Sequence, residues 1–174
     1  MNSYDIVVVG GGMVGAATAI GFAKQGLNVA VIEGFAPKAY DDSQAMDIRV
    51  SAISQASVDL LEELGAWQSI AAMRVCSYKR LETWEHPECR TRFDATSLDL
   101  PRLGYIVENR LIQLGLWAQF EAYDNLTILC PEKLDTIEFG ETNIVKLQSG
   151  AELSAKWVVC LLYTSDAADD YIRV

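Results

Sequence analysis

Histidine is nearly missing from this chain: His86 is the one imidazole in 174 residues. Most zinc centres and many acid–base sites are built on histidine, so these readings lose their usual residue. Cys89 follows His86 closely, but no further ligands stand at matching spacing, and no metal is expected. The sequence also lacks a Gly-x-Ser-x-Gly elbow, a Walker A lysine and a Tyr-x-x-x-Lys pair. Serine hydrolysis, phosphoryl transfer and short-chain dehydrogenase chemistry therefore have no residues to carry them. Basic residues are scarce, with 14 Lys and Arg against 24 Asp and Glu and a net charge of −10. That balance, without any basic cluster, excludes a nucleic-acid binder and a polybasic membrane binder. No apolar run approaches the roughly 18 residues of a membrane span, and no basic segment precedes the apolar start at Ile6 as it would in a signal peptide. Cys76, Cys89, Cys130 and Cys160 form no Cys-x-x-Cys pair and read as reduced thiols. The expected location is cytoplasmic.

What is present suits a globular protein. The chain has the length of one domain, with 51% hydrophobic and 22% charged residues, enough to bury a sizeable core. Its most informative stretch runs from Tyr4 to Glu33. Ile6 to Val9 is a β-branched run, Gly10, Gly12 and Gly15 follow in G-x-G-x-x-G spacing, and Met13 to Lys24 is predicted helical. Gly26 breaks that helix, Leu27 to Ile32 reads as a second buried strand, and Glu33 ends the unit. This is a βαβ nucleotide site in outline. Gly10 makes the tight exit from the strand, Gly12 lets backbone approach a pyrophosphate, and Gly15 lets the helix pack on the sheet. The helix N-terminus faces the phosphates. Glu33 stands near the offset of about 20 residues at which a carboxylate accepts hydrogen bonds from a ribose diol. An acid there disfavours a 2′-phosphate, which points to FAD or NAD. The fingerprint does not choose between those two.

Gly34 to Asp47 reads as a long loop over the nucleotide site. Arg49 follows, able to reach a phosphate or ribose through its planar fork of donors. Ser54 is the expected N-cap of a helix with Val58, Leu61 and Leu64 on one face and Gly65 as its stop. Val75 to Phe93 alternates as strands around a turn at His86-Pro87-Glu88, and Asp94 to Arg102 reads as loop. Gly104 to Glu108 is a predicted strand, and Asn109 is a candidate cap for a helix whose stripe is Ile112, Leu116, Trp117 and Phe120. Leu126 to Cys130 is expected as a buried strand. Leu134 to Phe139, Asn143 to Leu147 and Glu152 to Val159 then form a meander with turns at Gly140 and Ser149-Gly150. The fold class is α/β, a Rossmann-like FAD-binding fold with a β excursion and a β-meander, truncated before its substrate sheet is complete.

Four segments carry a family resemblance: Val7-Val8-Val9-Gly10-Gly11-Gly12-Met13-Val14-Gly15, Arg49-Val50-Ser51-Ala52-Ile53-Ser54, Arg80-Leu81-Glu82-Thr83-Trp84-Glu85 and Leu103-Gly104-Tyr105-Ile106-Val107-Glu108-Asn109. With them the chain resembles the FAD-dependent aromatic hydroxylases of ubiquinone biosynthesis, within the para-hydroxybenzoate-hydroxylase-like flavoprotein monooxygenases. The resemblance implies that Gly10, Gly12 and Gly15 hold the FAD pyrophosphate, Glu33 the adenosine ribose, and that Arg49 contacts the flavin nucleotide. Asn109 falls where many relatives carry an arginine near the FAD, and Glu108 and Trp84 are left as structural residues. It implies hydroxylation of a polyprenylated quinol or phenol with NAD(P)H and O₂, by an enzyme peripheral to the membrane and associated with others of that pathway. No catalytic residue is singled out. On this reading residues 1–159 are an incomplete N-terminal FAD-binding domain, entering a substrate-domain excursion at about 75–107. Past Val159 the family pattern gives way to Cys160-Leu161-Leu162-Tyr163-Thr164-Ser165, so residues 160–174 are expected to be a non-native read-through tail. An NAD-dependent Rossmann oxidoreductase and a non-catalytic nucleotide-binding fragment stay open as alternatives.

Overall fold

Val7, Val8 and Val9 bury their side chains on alternate faces of the backbone, and all three are at most 1% exposed. A strand buried on both faces shows no polar alternation, and this explains the unbroken apolar run. The computed structural model describes residues 2–162, and the run belongs to β1, Asn2–Val9. Helix α1, Met13–Lys24, follows and buries Gly15, Ala16, Ala19, Ile20 and Ala23, small residues for the most part that let it lie close to the sheet. Gly26 adopts a left-handed φ of +83° at its end, as a helix stop requires. The next strand, β2, is Val29–Ile32, buried throughout; it is shorter than the predicted Leu27 to Ile32.

The chain divides into two units, Met1–Ala36 with Ala122–Val174, and Pro37–Glu121. The second unit begins well ahead of the excursion read from alternation at about 75–107. Its first strand, β3 at Val50–Ser54, is followed by α2, Gln55–Glu63, and α3, Trp67–Ala72. Then come β4, Val75–Tyr78, β5, Arg80–His86, β6, Cys89–Asp94, β7, Gly104–Glu108, and α4, Asn109–Trp117. Strands β3, β7 and β4 form an antiparallel sheet in that order, while β5 and β6 form a separate ribbon. Ser54 caps α2 as expected, its hydroxyl accepting from the Ser57 N–H at 3.4 Å. Val58, Leu61 and Leu64 are buried, so the predicted helix face is the packed face. Leu111, Ile112, Leu116 and Phe120 are likewise buried. Trp84, expected to be structural, is 64% exposed on the ribbon.

Part of the stretch read as loop after Asp94 is a 3₁₀ turn, Ala95–Leu98. The Asp94 carboxylate caps it, accepting from the Thr96 hydroxyl at 2.7 Å, the Thr96 N–H at 3.1 Å and Arg80 Nε at 2.9 Å. The Thr96 contacts first, and Arg80 after them, hold this carboxyl down from an ordinary value of 3.8 to about 2. A lowered folded-state value means the capping contribution is fully present above pH 3.8 and lost as pH falls toward about 2. A carboxyl-carbon NMR titration should therefore show a midpoint near 2 for Asp94. A midpoint at the ordinary value would contradict the cap.

The chain then returns to the first unit with β8, Leu126–Leu129, β9, Leu134–Glu138, β10, Asn143–Leu147, and β11, Glu152–Cys160. The sheet order is β8-β2-β1-β11-β10-β9. Its first four strands are parallel, and β10 and β9 are added antiparallel. Its core is Tyr4, Val7, Val9, Ala30, Ile32, Val145, Leu147, Leu153 and Ala155. Asn125 locks α1 to the entry of β8, its amide donating to the carbonyls of Ala23 at 2.8 Å and Leu27 at 2.7 Å. Strand β8 corrects an expectation: it is an edge strand, and only Leu126 in it is buried. Strand β11 extends one residue beyond the expected end at Val159, and the Leu161 N–H then donates to Val9 O at 2.8 Å. Residues 163–174, most of the expected tail, lie outside the described residues. No helix among the described residues is long and apolar enough to cross a membrane.

Candidate nucleotide site

In the first unit the sheet delivers the glycine-rich turn at the end of β1. Gly10 has a φ of +105°, a conformation that a side chain would strain. Its N–H donates to Ile32 O at 2.8 Å, tying the turn to β2. At Gly15 a Cβ would run into the Gly10 carbonyl oxygen and approach Val8 Cγ1 at 3.5 Å. Helix and turn are thus in contact through backbone. Gly12 differs, because a Cβ there would meet nothing within 4 Å. The space beside it is open. Gly12 is also the N-cap of α1, with no side-chain cap and no acid in the first turn. An uncapped N-terminus presents backbone N–H groups and a partial positive charge to an incoming anion. Gly10 and Gly15 thus sit where the backbone is tight, and Gly12 leaves the space at the helix start open.

Glu33 stands at the end of β2 with a second task invisible in the sequence. Its Oε2 accepts from the Gly11 N–H at 2.6 Å and its Oε1 from the Phe35 N–H at 3.0 Å. The carboxylate latches the glycine turn to the end of the neighbouring strand. Each oxygen retains a further lone-pair direction, so the latch leaves capacity for a ribose hydroxyl. Cys130 lies nearby; burial first, and the Glu33 charge second, push its thiol pKa up.

The second unit holds Arg49 and Asn109. The Arg49 side chain is 80% exposed, with Nε 3.9 Å from Asp47 Oδ1. Asn109 corrects the expectation of a cap. The N-cap of α4 is Glu108, and Asn109 is the first helical residue. Its N–H donates to Arg49 O at 3.0 Å, and its side-chain oxygen accepts from the Ser51 hydroxyl at 2.6 Å. The cause is strand pairing: Val50 faces Glu108 in the β3–β7 ladder, so Asn109 emerges beside Ser51 and is drawn to it. Sequence reasoning missed two arginines. Arg110 donates to the carbonyls of Lys38 at 2.8 Å and Ala39 at 3.2 Å. Arg74 donates to those of Gln44 at 3.1 Å and Asp42 at 3.4 Å. Together they tie down a stretch that has no helix or strand of its own. Nothing in the local pattern marks them, since their partners lie 30 or more residues away.

A family model described as FAD binding domain matches residues 3–125. The chain belongs to this FAD-binding family. Among curated proteins it is 41% identical over 170 residues to 3-demethoxyubiquinol 3-hydroxylase of Escherichia coli (strain K12), covering 97% of this chain and 42% of that protein. It is 37% identical over 137 residues to the mitochondrial ubiquinone biosynthesis monooxygenase COQ6 of Homo sapiens, covering 75% of this chain and 29% of the relative. The chain thus spans less than half the length of these relatives. Among solved structures, p-nitrophenol 4-monooxygenase PnpA from Pseudomonas putida DLL-E4 superimposes with a TM-score of 0.70 at 21% identity, over 92% of this chain and 41% of that one. At that identity the likeness establishes the fold. The Rossmann-like FAD-binding class expected from the sequence is the one observed, and FAD is the nucleotide of the family.

Proposed function

We propose that this chain is the FAD-binding part of a flavin-dependent aromatic monooxygenase that hydroxylates a polyprenylated quinol or phenol in ubiquinone biosynthesis. The observation that carries the reading is the similarity to 3-demethoxyubiquinol 3-hydroxylase along 97% of this chain. In this proposal Gly10, Gly12 and Gly15 hold the pyrophosphate, Glu33 accepts from the adenosine ribose, and Arg49 and Asn109 are further FAD contacts. Bound flavin supplies the redox and oxygen chemistry, with NAD(P)H and O₂ as co-substrates. The chain's own part is to hold the nucleotide and fix its orientation. We also propose a cytoplasmic protein, peripheral to the membrane that carries a prenylated substrate, in association with other enzymes of the pathway. The four free thiols fit a reducing compartment.

The test is FAD titration of the purified chain, followed by flavin fluorescence, with Gly12→Ala beside it. A Cβ at position 12 meets no protein atom, so the folded state should lose no more than about 1 kcal/mol, the scale of a weakened N-cap. The same methyl group would stand where phosphate is to approach, and FAD affinity should fall at least about 100-fold, the scale of a displaced charge-assisted contact set. Uptake of NADH with no uptake of FAD would overturn the reading. So would a Gly12→Ala chain that binds FAD as tightly as the parent.

A further inference from the structure

A sequence of contacts in the second unit ends at Arg49. Glu108 begins it. It is 2% exposed, and its two carboxylate oxygens are used separately: Oε1 receives Arg74 Nη1 at 3.2 Å and Oε2 accepts the Asp47 N–H at 2.9 Å. Arg74 uses Nη2 for the carbonyls of Gln44 and Asp42. The backbone leading to Asp47 is thereby fixed from both sides. Asp47 Oδ1 then accepts the Arg49 N–H at 2.9 Å and lies beside Arg49 Nε, while Arg49 O is held by the Asn109 N–H. The Arg49 main chain is thus anchored at its N–H and its carbonyl, while its Nε stands 3.9 Å from Asp47 Oδ1, near enough for charge attraction but beyond hydrogen-bond distance.

The anchoring is of the main chain and leaves the guanidinium over. Among the described residues, Nη1 and Nη2 of Arg49 have no partner, and the side chain is exposed to solvent. A guanidinium on an anchored main chain and open at its Nη pair offers two parallel donors in one plane, the arrangement that matches two oxygens of a phosphate. Ile48 and Val50 flank it in sequence and are exposed. A charged fork between two exposed apolar side chains suits a phosphate ester with an apolar or aromatic body better than an inorganic anion.

We propose that Asp47, held in place by Glu108 and Arg74, is a positioning residue that presents the Arg49 fork to a phosphate of the nucleotide. The proposal rests on the FAD reading above and adds to it the residues that aim Arg49. Asp47 acts through Arg49, so its effect on binding exists only while Arg49 is present. That dependence separates positioning from a structural contribution to the unit.

The experiment is a double-mutant cycle on FAD affinity, read by flavin fluorescence, with Asp47→Ala, Arg49→Ala and the double variant, and thermal melting recorded for each. Arg49→Ala should weaken binding on the order of 10- to 100-fold, as for loss of a charge-assisted phosphate contact. Asp47→Ala should weaken it on the order of 3- to 10-fold alone and add nothing in the Arg49→Ala background. Asp47→Asn keeps an acceptor for the Arg49 N–H and should recover part of the loss; it carries the cycle if Asp47→Ala does not fold. An equal loss from Asp47→Ala in both backgrounds, or no loss in either, overturns the proposal while leaving the FAD reading intact. A parent chain that takes up no FAD overturns the FAD reading and the proposal with it.

Discussion

Gly15→Ala is expected to disrupt a large part of the glycine turn's contacts and to abolish FAD uptake. Two effects oppose each other at this site. Alanine is a better helix former than glycine by about 1 kcal/mol, and position 15 lies in the first turn of α1, where that gain would apply. Against it, the new Cβ would overlap the Gly10 carbonyl oxygen, a backbone atom that cannot rotate aside as a side chain does. Gly10 is itself fixed by its left-handed φ and by its N–H bond to Ile32 O. The clash can be relieved only by moving α1 off the sheet or reshaping the turn, and overpacking of this kind costs typically about 1–3 kcal/mol. The clash should exceed the propensity gain, leaving a net loss of up to about 2 kcal/mol in a urea melt. FAD binding should suffer more than stability, because a shift of about 1 Å in a phosphate cradle misaligns several N–H donors at once. A Gly15→Ala chain that is more stable than the parent would mean that propensity governs here and that helix and turn are looser than the contact implies.

The contrast between Gly12 and Gly15 shows what is legible in the sequence. Both stand out by their spacing, and both are where the βαβ pattern needs them, because strand, turn and helix are local and each announces itself in a few residues. That one of these glycines faces open space and the other faces backbone is not written in the spacing. Asn109 marks the same boundary from the other side. Its position just before an apolar stripe looks like a cap, but β7 pairs with β3, whose Ser51 is 58 positions away, and that pairing claims the side chain. Strand β8 reads as buried from its composition; sheet order puts it at an edge. Glu33 stands out by its offset from the glycines, while its bond to the Gly11 N–H depends on β1 and β2 lying side by side in register. Local signals locate the nucleotide unit and its candidate residues. Long-range pairing decides which atoms those residues hold in the protein itself.

Glu108 is where long-range pairing has its largest expected consequence. Glu108→Ala should destabilise the second unit by about 2–4 kcal/mol, because removing one partner of a buried pair leaves the other charge uncompensated. Arg74 keeps 26% of its side chain exposed, so water reaches its guanidinium in part, which places the cost toward the lower end for a buried pair. The Asp47 N–H loses its acceptor as well. Glu108→Gln keeps an oxygen for that N–H but leaves the Arg74 charge uncompensated, so it should recover only the roughly 0.5–1.5 kcal/mol of that one hydrogen bond. Stability and positioning then part company in the double variant Arg74→Met with Glu108→Leu. Replacing a buried ion pair by apolar residues of similar volume is often neutral, so this variant should regain most of the stability lost in Glu108→Ala. It cannot regain the bonds to the Asp47 N–H and to the Asp42 and Gln44 carbonyls, and FAD affinity should stay as low as in Glu108→Ala. If affinity returns together with stability, the buried pair acts only as packing, and the orientation of Arg49 is set by its own bonds to Asp47 and Asn109.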